Sequence, residues 1–297
     1  MRAAERGFLL LSSHLGEPSR KPLTAPQLRT LTARMQQMEC PAEDRDLKSR
    51  DLMALGYARD MAERIATLLG EGQLLDGYLK AAERAGCGPV TRISEGYPLV
   101  LRKRLGLDSP GCLWCKGDVS FLQQPTVSLV GSRDLLDANR EFAAEVGKQA
   151  ALQGYVLVSG NARGADRTAQ ESCLAAGGRV ICVVADELYK QPQRENVLYV
   201  SEDGFAEGFS TPRALSRNRV IHALGLKTFV AQCALKKGGT WSGTAQNLRS
   251  GWSDVYVFRD GSEAALHLEQ LGANLIGREA LTSFYDLPKR EESFFDR

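Results

Sequence analysis

Five short apolar runs rich in β-branched residues alternate with helical or glycine-rich segments, and this alternation is the strongest constraint on the fold. The runs cover residues 127–130, 156–158, 180–184, 228–231 and 255–258. Strands that are buried on both faces are apolar at consecutive positions, and helices that connect such strands make them parallel. The sequence therefore predicts an α/β protein with a doubly wound, mainly parallel sheet.

Helix signals fill two of the intervals between these runs. One helix is predicted to begin near Asp137, to place Phe142 and Val146 on one side, and to end at Gly154. A second helix is predicted over residues 166–176, and the two glycines that follow it mark its end. Both intervals therefore have the length and pattern of a crossover between parallel strands.

The first 95 residues have a different pattern, in which helical segments are joined by polar linkers. A helix is predicted to begin after Thr24, with proline in its first turn, and others over residues 58–69 and 74–85, while residues 40–50 are charged and turn-prone. We expect a helical domain over 1–95, an α/β domain over 96–277 and a C-terminal tail over 278–297.

Composition restricts the class of protein. With 43% apolar and 25% charged residues the chain is typical of a soluble globular protein, and its apolar runs are too short to cross a membrane. Seven cysteines without a signal-peptide pattern favour a reduced, cytoplasmic protein. Cys112 and Cys115 have metal-site spacing, but no second pair follows, so we expect two packed thiols and no metal. A net charge of +2 means that a nucleic-acid partner needs a local basic patch.

Candidate binding residues follow the predicted strands or lie in the helix that leads into the fourth strand. Ligands collect at the carboxyl ends of strands in a doubly wound sheet. Glycine backbone N–H groups, hydroxyls and guanidinium groups are the donors that an anion needs. The candidates are Gly131, Ser132, Arg133, Ser159, Gly160, Ala162, Arg163, Gly164, Arg217, Asn218, Arg219, Lys237, Gly239 and Thr240.

Each of these segments alone also has a purely structural explanation. Arg217 and Arg219 are candidates for surface ion pairs, and Asp166 either caps its helix, which we favour, or binds a ribose hydroxyl. His222 is expected to pack rather than to act as a base. Because the donors recur at successive strand ends, we favour an anion-binding groove with no catalytic residue and no cofactor.

In this region the chain resembles the DprA/Smf family of DNA-processing proteins, whose domain is Rossmann-like. The family carries a G-S-R turn, an S-G-x-A-R-G-x-D loop and an R-N-R helix. These are matched by Gly131-Ser132-Arg133, by residues 159–166 and by Arg217-Asn218-Arg219. Weaker matches at Tyr97-Pro98, 113–117 and 272–274 extend the resemblance over residues 53–276.

The resemblance implies binding of single-stranded DNA and loading of a RecA-type recombinase onto it, in transformation or recombination. It also implies a homodimer and an accessory role for the N-terminal helices. Arg133, Arg163, Arg217 and Arg219 would correspond to the family's basic DNA pocket or its scaffold.

Two departures from the family keep alternatives open. Residues 214–216 replace the family's F-P, whose aromatic ring can stack on a base, so Phe209 or Trp241 would have to take that role. Residues 238–244 are partly similar to a loop of LOG-like nucleotide enzymes, which keeps a nucleotide sensor or nucleoside-monophosphate glycosidase as an alternative. Those enzymes carry a glutamate where this chain has Gln246, which favours binding over catalysis. In a third hypothesis the N-terminal helices bind a protein and the sheet is only a scaffold.

Overall fold

The predicted parallel strands form the centre of a nine-stranded sheet in a computed structural model that describes residues 1–37 and 47–289. The strand order is β1-β2-β6-β5-β4-β3-β7-β8-β9. Neighbours from β6 to β9 are parallel, whereas β1–β2 and β2–β6 are antiparallel. The strands are β1 (Gly88–Thr91), β2 (Cys112–Lys116), β3 (Thr126–Val130), β4 (Val156–Ser159), β5 (Arg179–Val183), β6 (Val197–Ser201), β7 (Lys227–Val230), β8 (Asp254–Phe258) and β9 (Asn274–Ile276).

Helices cover both faces of this sheet. Side chains of α1, α5, α7 and α8 pack on one face, and those of α6, α9, α10 and α11 pack on the other. In β4 the side chain of Leu157 points to the first face, while Val156 and Val158 point to the second. The helices are α1 (Ala3–Ser12), α2 (Ala25–Met35), α3 (Ser49–Ala54), α4 (Arg59–Gly70), α5 (Gly72–Arg84), α6 (Leu99–Leu105), α7 (Asp137–Leu152), α8 (Ala165–Ala175), α9 (Thr211–Leu224), α10 (Gly238–Ser250) and α11 (Glu263–Gln270).

The α/β class and the five predicted strands are confirmed, as β3, β4, β5, β7 and β8. Four further strands, β1, β2, β6 and β9, were not predicted. Strand β1 falls within the 95 residues that the sequence assigns to helices, and it adds to the sheet through β2. The sheet is therefore wider than the apolar runs indicate.

The N-terminal helices share a small core of their own and also pack on the sheet. Leu31, Leu52 and Ile65 lie in the small core, while Leu9 and Leu75 join the core on the first sheet face. The predicted linker over 40–50 lies largely outside the described residues.

The first part of the predicted C-terminal tail is packed. Leu281 and Phe284 are fully buried, and the ring of Phe284 lies 4.7 Å from that of Phe229. The end of the tail, residues 290–297, lies outside the described residues.

The two cysteines with metal-site spacing lie in β2. Cys112 packs in the core on one face of the sheet, and Cys115 packs in the core on the other face. Burial raises the pKa of both thiols. Side chains three residues apart in a strand diverge, so the pair does not form a common ligand set.

Candidate functional site

The strand order reverses between β3 and β7, because the chain proceeds from β3 outward to β6 and then returns to β7. Such a reversal opens a crevice at the carboxyl ends of the two strands, where doubly wound proteins bind their ligands. A groove of about 690 Å³ occupies this position, and we call it the switch-point groove. Its lining residues are Val130, Gly131, Ser132, Arg133, Asp134, Ala162, Asp166, Phe209, Thr211, Ala214, Leu215, Arg217, Asn218, Ile221, His222, Ala234, Lys237, Gly238, Gly239 and Thr240.

Glycines allow the loops after β3 and β4 to pack directly on each other. Gly164 has φ of 85°, and a Cβ atom at this position would lie within 2.5 Å of the Ser132 carbonyl oxygen. The Ala165 N–H donates to that same oxygen over 3.1 Å. A Cβ atom on Gly131 would collide with the side chain of Ala165. The two loops therefore form one rigid wall of the switch-point groove.

Asp166 stabilises this wall from beneath. It is buried, and its Oδ2 accepts a hydrogen bond from the Ala162 N–H over 3.1 Å. Burial raises the pKa of Asp166, while the positive charge of Arg217 opposes the rise. The helix N-cap position belongs to Gly164, so Asp166 closes the loop and does not cap the helix.

Arg217 lies against the same wall. A Cβ atom on Gly160 would overlap its guanidinium group, and its Nη1 donates to the Val183 carbonyl oxygen over 3.1 Å. Burial lowers the pKa of Arg217, and the charges of Asp166 and Asp186 oppose this effect. Arg217 lines the groove, but its contacts also make it part of the scaffold.

The opposite wall is the start of α10. The Asn218 Nδ2 donates to the Gly239 carbonyl oxygen over 3.1 Å, and the Thr240 hydroxyl donates to the Gly131 carbonyl oxygen over 3.1 Å. These bonds hold the helix terminus against α9 and β3. The first N–H groups of a helix have no partner within it and carry partial positive charge, so this terminus is suited to an anion.

Three cations are exposed at the rim of the groove. Arg133 and Lys237 make no side-chain hydrogen bond or ion pair with any residue that the structure describes. Arg163 pairs with Asp134 over 2.7 Å, and its side chain is 74% exposed. An exposed ion pair of this kind contributes little free energy, so a phosphate can take the place of Asp134 as the partner of Arg163 with little loss of free energy.

Two predicted site residues are not brought into the groove. Ser159 is fully buried and accepts a hydrogen bond from the Gln170 Nε2 over 2.5 Å. Arg219 pairs with Glu202 over 3.0 Å, away from the residues that line the groove. Gly160 and Gly164 shape the wall without lining the groove, whereas the other candidates line it or, in the case of Arg163, flank it.

The structure separates the two aromatic candidates. Phe209 lines the groove and is 60% exposed, whereas Trp241 is 9% exposed and its ring lies 5.7 Å from that of His267. Phe209 is therefore the aromatic residue that a ligand in the groove would meet. Thr211 and Leu215 also line the groove, and neither belongs to a motif that the sequence predicts to bind a ligand.

Glu202 and Asp203 are the acidic residues that the sequence places nearest to a nucleotide-hydrolysing role, and neither reaches the groove. They pair with Arg219 and with Arg213, over 3.0 Å and 2.6 Å. Burial lowers the pKa of His222 to about 3, so its imidazole is neutral and packed, as the sequence predicts. Among residues 1–37 and 47–289 there is no cluster of three or more metal-ligating side chains. In the same part of the chain no helix is long and apolar enough to span a membrane.

Comparison with known proteins agrees with this fold and these motifs. DNA processing protein DprA of Streptococcus pneumoniae is 29% identical over 198 residues, which cover 60% of this chain and 68% of that protein. DprA of Bacillus subtilis is 26% identical over 236 residues, covering 74% of this chain and 78% of its own.

Solved structures of DprA proteins have the same fold. The X-ray structure of DprA from S. pneumoniae superposes with a TM-score of 0.59 at 23% identity, covering 86% of this chain and 96% of that one. DprA from Helicobacter pylori superposes with a TM-score of 0.55 at 22% identity, covering 66% and 94%. The family model of DNA recombination-mediator protein A matches residues 89–282, more than half of the chain. The resemblance seen in the sequence is thus confirmed, and this chain belongs to the DNA recombination-mediator protein A (DprA) family.

Proposed function

We propose that this DprA-type protein binds single-stranded DNA in the switch-point groove. The observation that carries the proposal is the composition of that groove: exposed Arg133 and Lys237 lie beside the N-terminus of α10, and exposed Phe209 lies in the same groove. The H. pylori relative, whose structure concerns a single-stranded DNA binding mode, supports the choice of ligand.

These groups bind different parts of the DNA strand. The guanidinium, the ammonium and the helix N–H groups hold phosphates, which fixes the position of a strand without reading its sequence. The ring of Phe209 stacks on a base, and unpaired bases expose the faces that such stacking needs. Duplex DNA keeps its bases stacked on each other, so the groove prefers the single strand.

The remaining parts of the proposal follow from family membership. The protein acts by binding and not by catalysis, delivers the strand to a RecA-type recombinase, works as a homodimer and resides in the cytoplasm. The helical region of residues 1–95, from which strand β1 joins the sheet, is an accessory domain, and residues 96–277 are the Rossmann-like DNA-binding domain. Residues 278–297 are a tail whose first part packs on that domain. Strand exchange with a recombinase and sedimentation of the free protein test the second and third of these statements.

The test of DNA binding is a titration with oligo-dT, duplex DNA and a mononucleotide, each at two salt concentrations. We expect tightest binding to oligo-dT and a loss of affinity at high salt. The variant Arg133→Ala/Lys237→Ala removes both unpartnered cations, and Lys148→Ala/Arg249→Ala is a control with the same change of net charge at positions outside the groove. Tight mononucleotide binding without a preference for single strands would instead support the nucleotide-sensor alternative.

A further inference from the structure

His222 has an unpaired ring nitrogen that packing alone does not explain. Its ring lies at the base of the switch-point groove, on α9, and is fully buried. Its Nδ1 is 3.1 Å from the Asn247 Nδ2, whereas its Nε2 has no hydrogen-bond partner among the described residues. Buried polar groups in proteins are nearly always paired, so an unpaired ring nitrogen beside a binding groove is unusual.

The surrounding network determines which ring nitrogen carries the proton. The Ser253 backbone N–H donates to the Asn247 Oδ1 over 3.0 Å, and this contact identifies the amide oxygen because a backbone N–H can only donate. The Asn247 Nδ2 therefore donates, with one hydrogen to the Ser253 Oγ over 3.0 Å and the other to the His222 Nδ1. The Nδ1 is an acceptor, and in the neutral ring the proton lies on Nε2.

Burial keeps the imidazole in this neutral form, because it lowers the pKa of His222 to about 3. The network continues from the Ser253 hydroxyl to the Thr228 hydroxyl over 2.7 Å, in strand β7. Since Ser253 accepts from Asn247, its own proton can be donated to Thr228. Asn247 and Ser253 thus each have partners, whereas the Nε2–H of His222 has none among the described residues.

A glycine allows helix α10 to approach this donor closely. A Cβ atom on Gly243 would lie 3.1 Å from the His222 Nε2 and 3.3 Å from the Asn218 Cβ. Gly243 belongs to α10 and Asn218 to α9, so the donor lies where the two helices are in contact. Asn218, His222 and Gly239 all line the switch-point groove, so this contact lies next to the ligand site.

We propose that His222 is a binding residue of the groove, whose Nε2–H donates a hydrogen bond to an acceptor oxygen of the nucleotide seated at the start of α10. This inference rests on the proposed binding of single-stranded DNA. The acceptor is either a base carbonyl or a phosphate oxygen, which share the same chemistry. The ring is fully buried but lines the switch-point groove, so the acceptor approaches it from the groove.

The first experiment measures the affinity of the full chain for an oligo-dT and for an abasic oligonucleotide of the same length. His222→Phe keeps a ring but removes the donor, and we expect about a tenfold loss of affinity for oligo-dT. His222→Gln places an amide donor near the Nε2 position and restores most of the affinity. A loss that disappears on the abasic strand identifies a base carbonyl, and a loss that persists identifies a phosphate.

A second variant retains the His222 side chain. Gly243→Ala places a methyl group against Nε2 and should weaken binding to a similar extent. Gly77→Ala is the matched control, because Gly77 is also helical and a Cβ atom there would meet nothing within 4 Å. Thermal unfolding of each variant shows whether the fold is retained.

The third measurement does not depend on a variant that folds. The imidazole nitrogens of the wild-type protein, labelled with ¹⁵N, should show a protonated Nε2 that shifts on addition of oligo-dT. An Nε2 signal that stays unshifted while oligo-dT binds would overturn the role of His222 and leave DNA binding intact. If the wild type does not bind oligo-dT at all, the proposed function itself fails.

Discussion

Replacement of Phe209 by alanine is the sharpest test of how the groove holds a base. The ring is 60% exposed and precedes Ser210, whose hydroxyl accepts from the Arg213 N–H at the start of α9. Removing an exposed ring leaves that cap in place, so the free energy of unfolding should change by less than about 1 kcal/mol. Stacking of one base on an aromatic side chain contributes about 1–3 kcal/mol. The affinity for oligo-dT should therefore fall by about fivefold to about 150-fold.

The assay is fluorescence anisotropy with labelled oligo-dT at fixed salt. Leu215→Ala serves as the control, because Leu215 lines the same groove and is 49% exposed but has no ring to stack. Phe209→Trp should retain the affinity, and an abasic strand should bind wild type and Phe209→Ala equally. Affinity of Phe209→Ala within twofold of wild type, or an equal loss on the abasic strand, would refute base stacking at this position.

Three further predictions concern the charges and the backbone of the site. In Arg133→Ala/Lys237→Ala the slope of log affinity against log salt concentration should be shallower by about 1.4. The variant loses two phosphate contacts, and each contact to a single strand accounts for about 0.7 of the slope. A slope equal to that of Lys148→Ala/Arg249→Ala would argue against these contacts. Gly164→Ala should lower the free energy of unfolding, measured by urea titration, by more than about 1 kcal/mol. The reason is that Gly164 has φ of 85° and that a Cβ atom there would collide with the loop after β3. An unchanged urea midpoint would show that the two loops are not packed as described. The pKa of His222 is about 3 in the folded protein and about 6.5 in the unfolded chain. Below about pH 6.5 the unfolded chain therefore binds a proton that the folded protein does not, so the free energy of unfolding falls as the pH drops below this value. Between pH 7 and pH 5 this group should remove about 2 kcal/mol from the free energy of unfolding, measured by urea titration. His222→Gln should not show this loss, because glutamine does not titrate.

Five of the seven parallel strands were predictable because they are buried on both faces and are therefore apolar at most positions. Strand β9 has only three residues, and β1 contains a glycine and a proline, so neither carries such a run. Strand β6 reads Val-Leu-Tyr-Val-Ser and is fully buried, so its sequence does contain the signal, although it was not among the predicted strands.

The site was predictable in its position but not in every residue. Arg217 and Arg219 belong to the same motif, yet residues two apart on a helix point to different sides, and only Arg217 faces the groove. The choice between Phe209 and Trp241 depended on burial of Trp241 against α11, a contact between elements distant in the chain. Local patterns do not carry this kind of information.

Photo-crosslinking tests most directly whether single-stranded DNA lies in the switch-point groove. An oligo-dT with one 5-iododeoxyuridine, irradiated with the protein and analysed by mass spectrometry, should crosslink to the peptide that contains Phe209, and Arg133→Ala/Lys237→Ala should lower the yield. Crosslinks confined to the N-terminal helices, with none in the peptides that line the groove, would contradict binding in the groove.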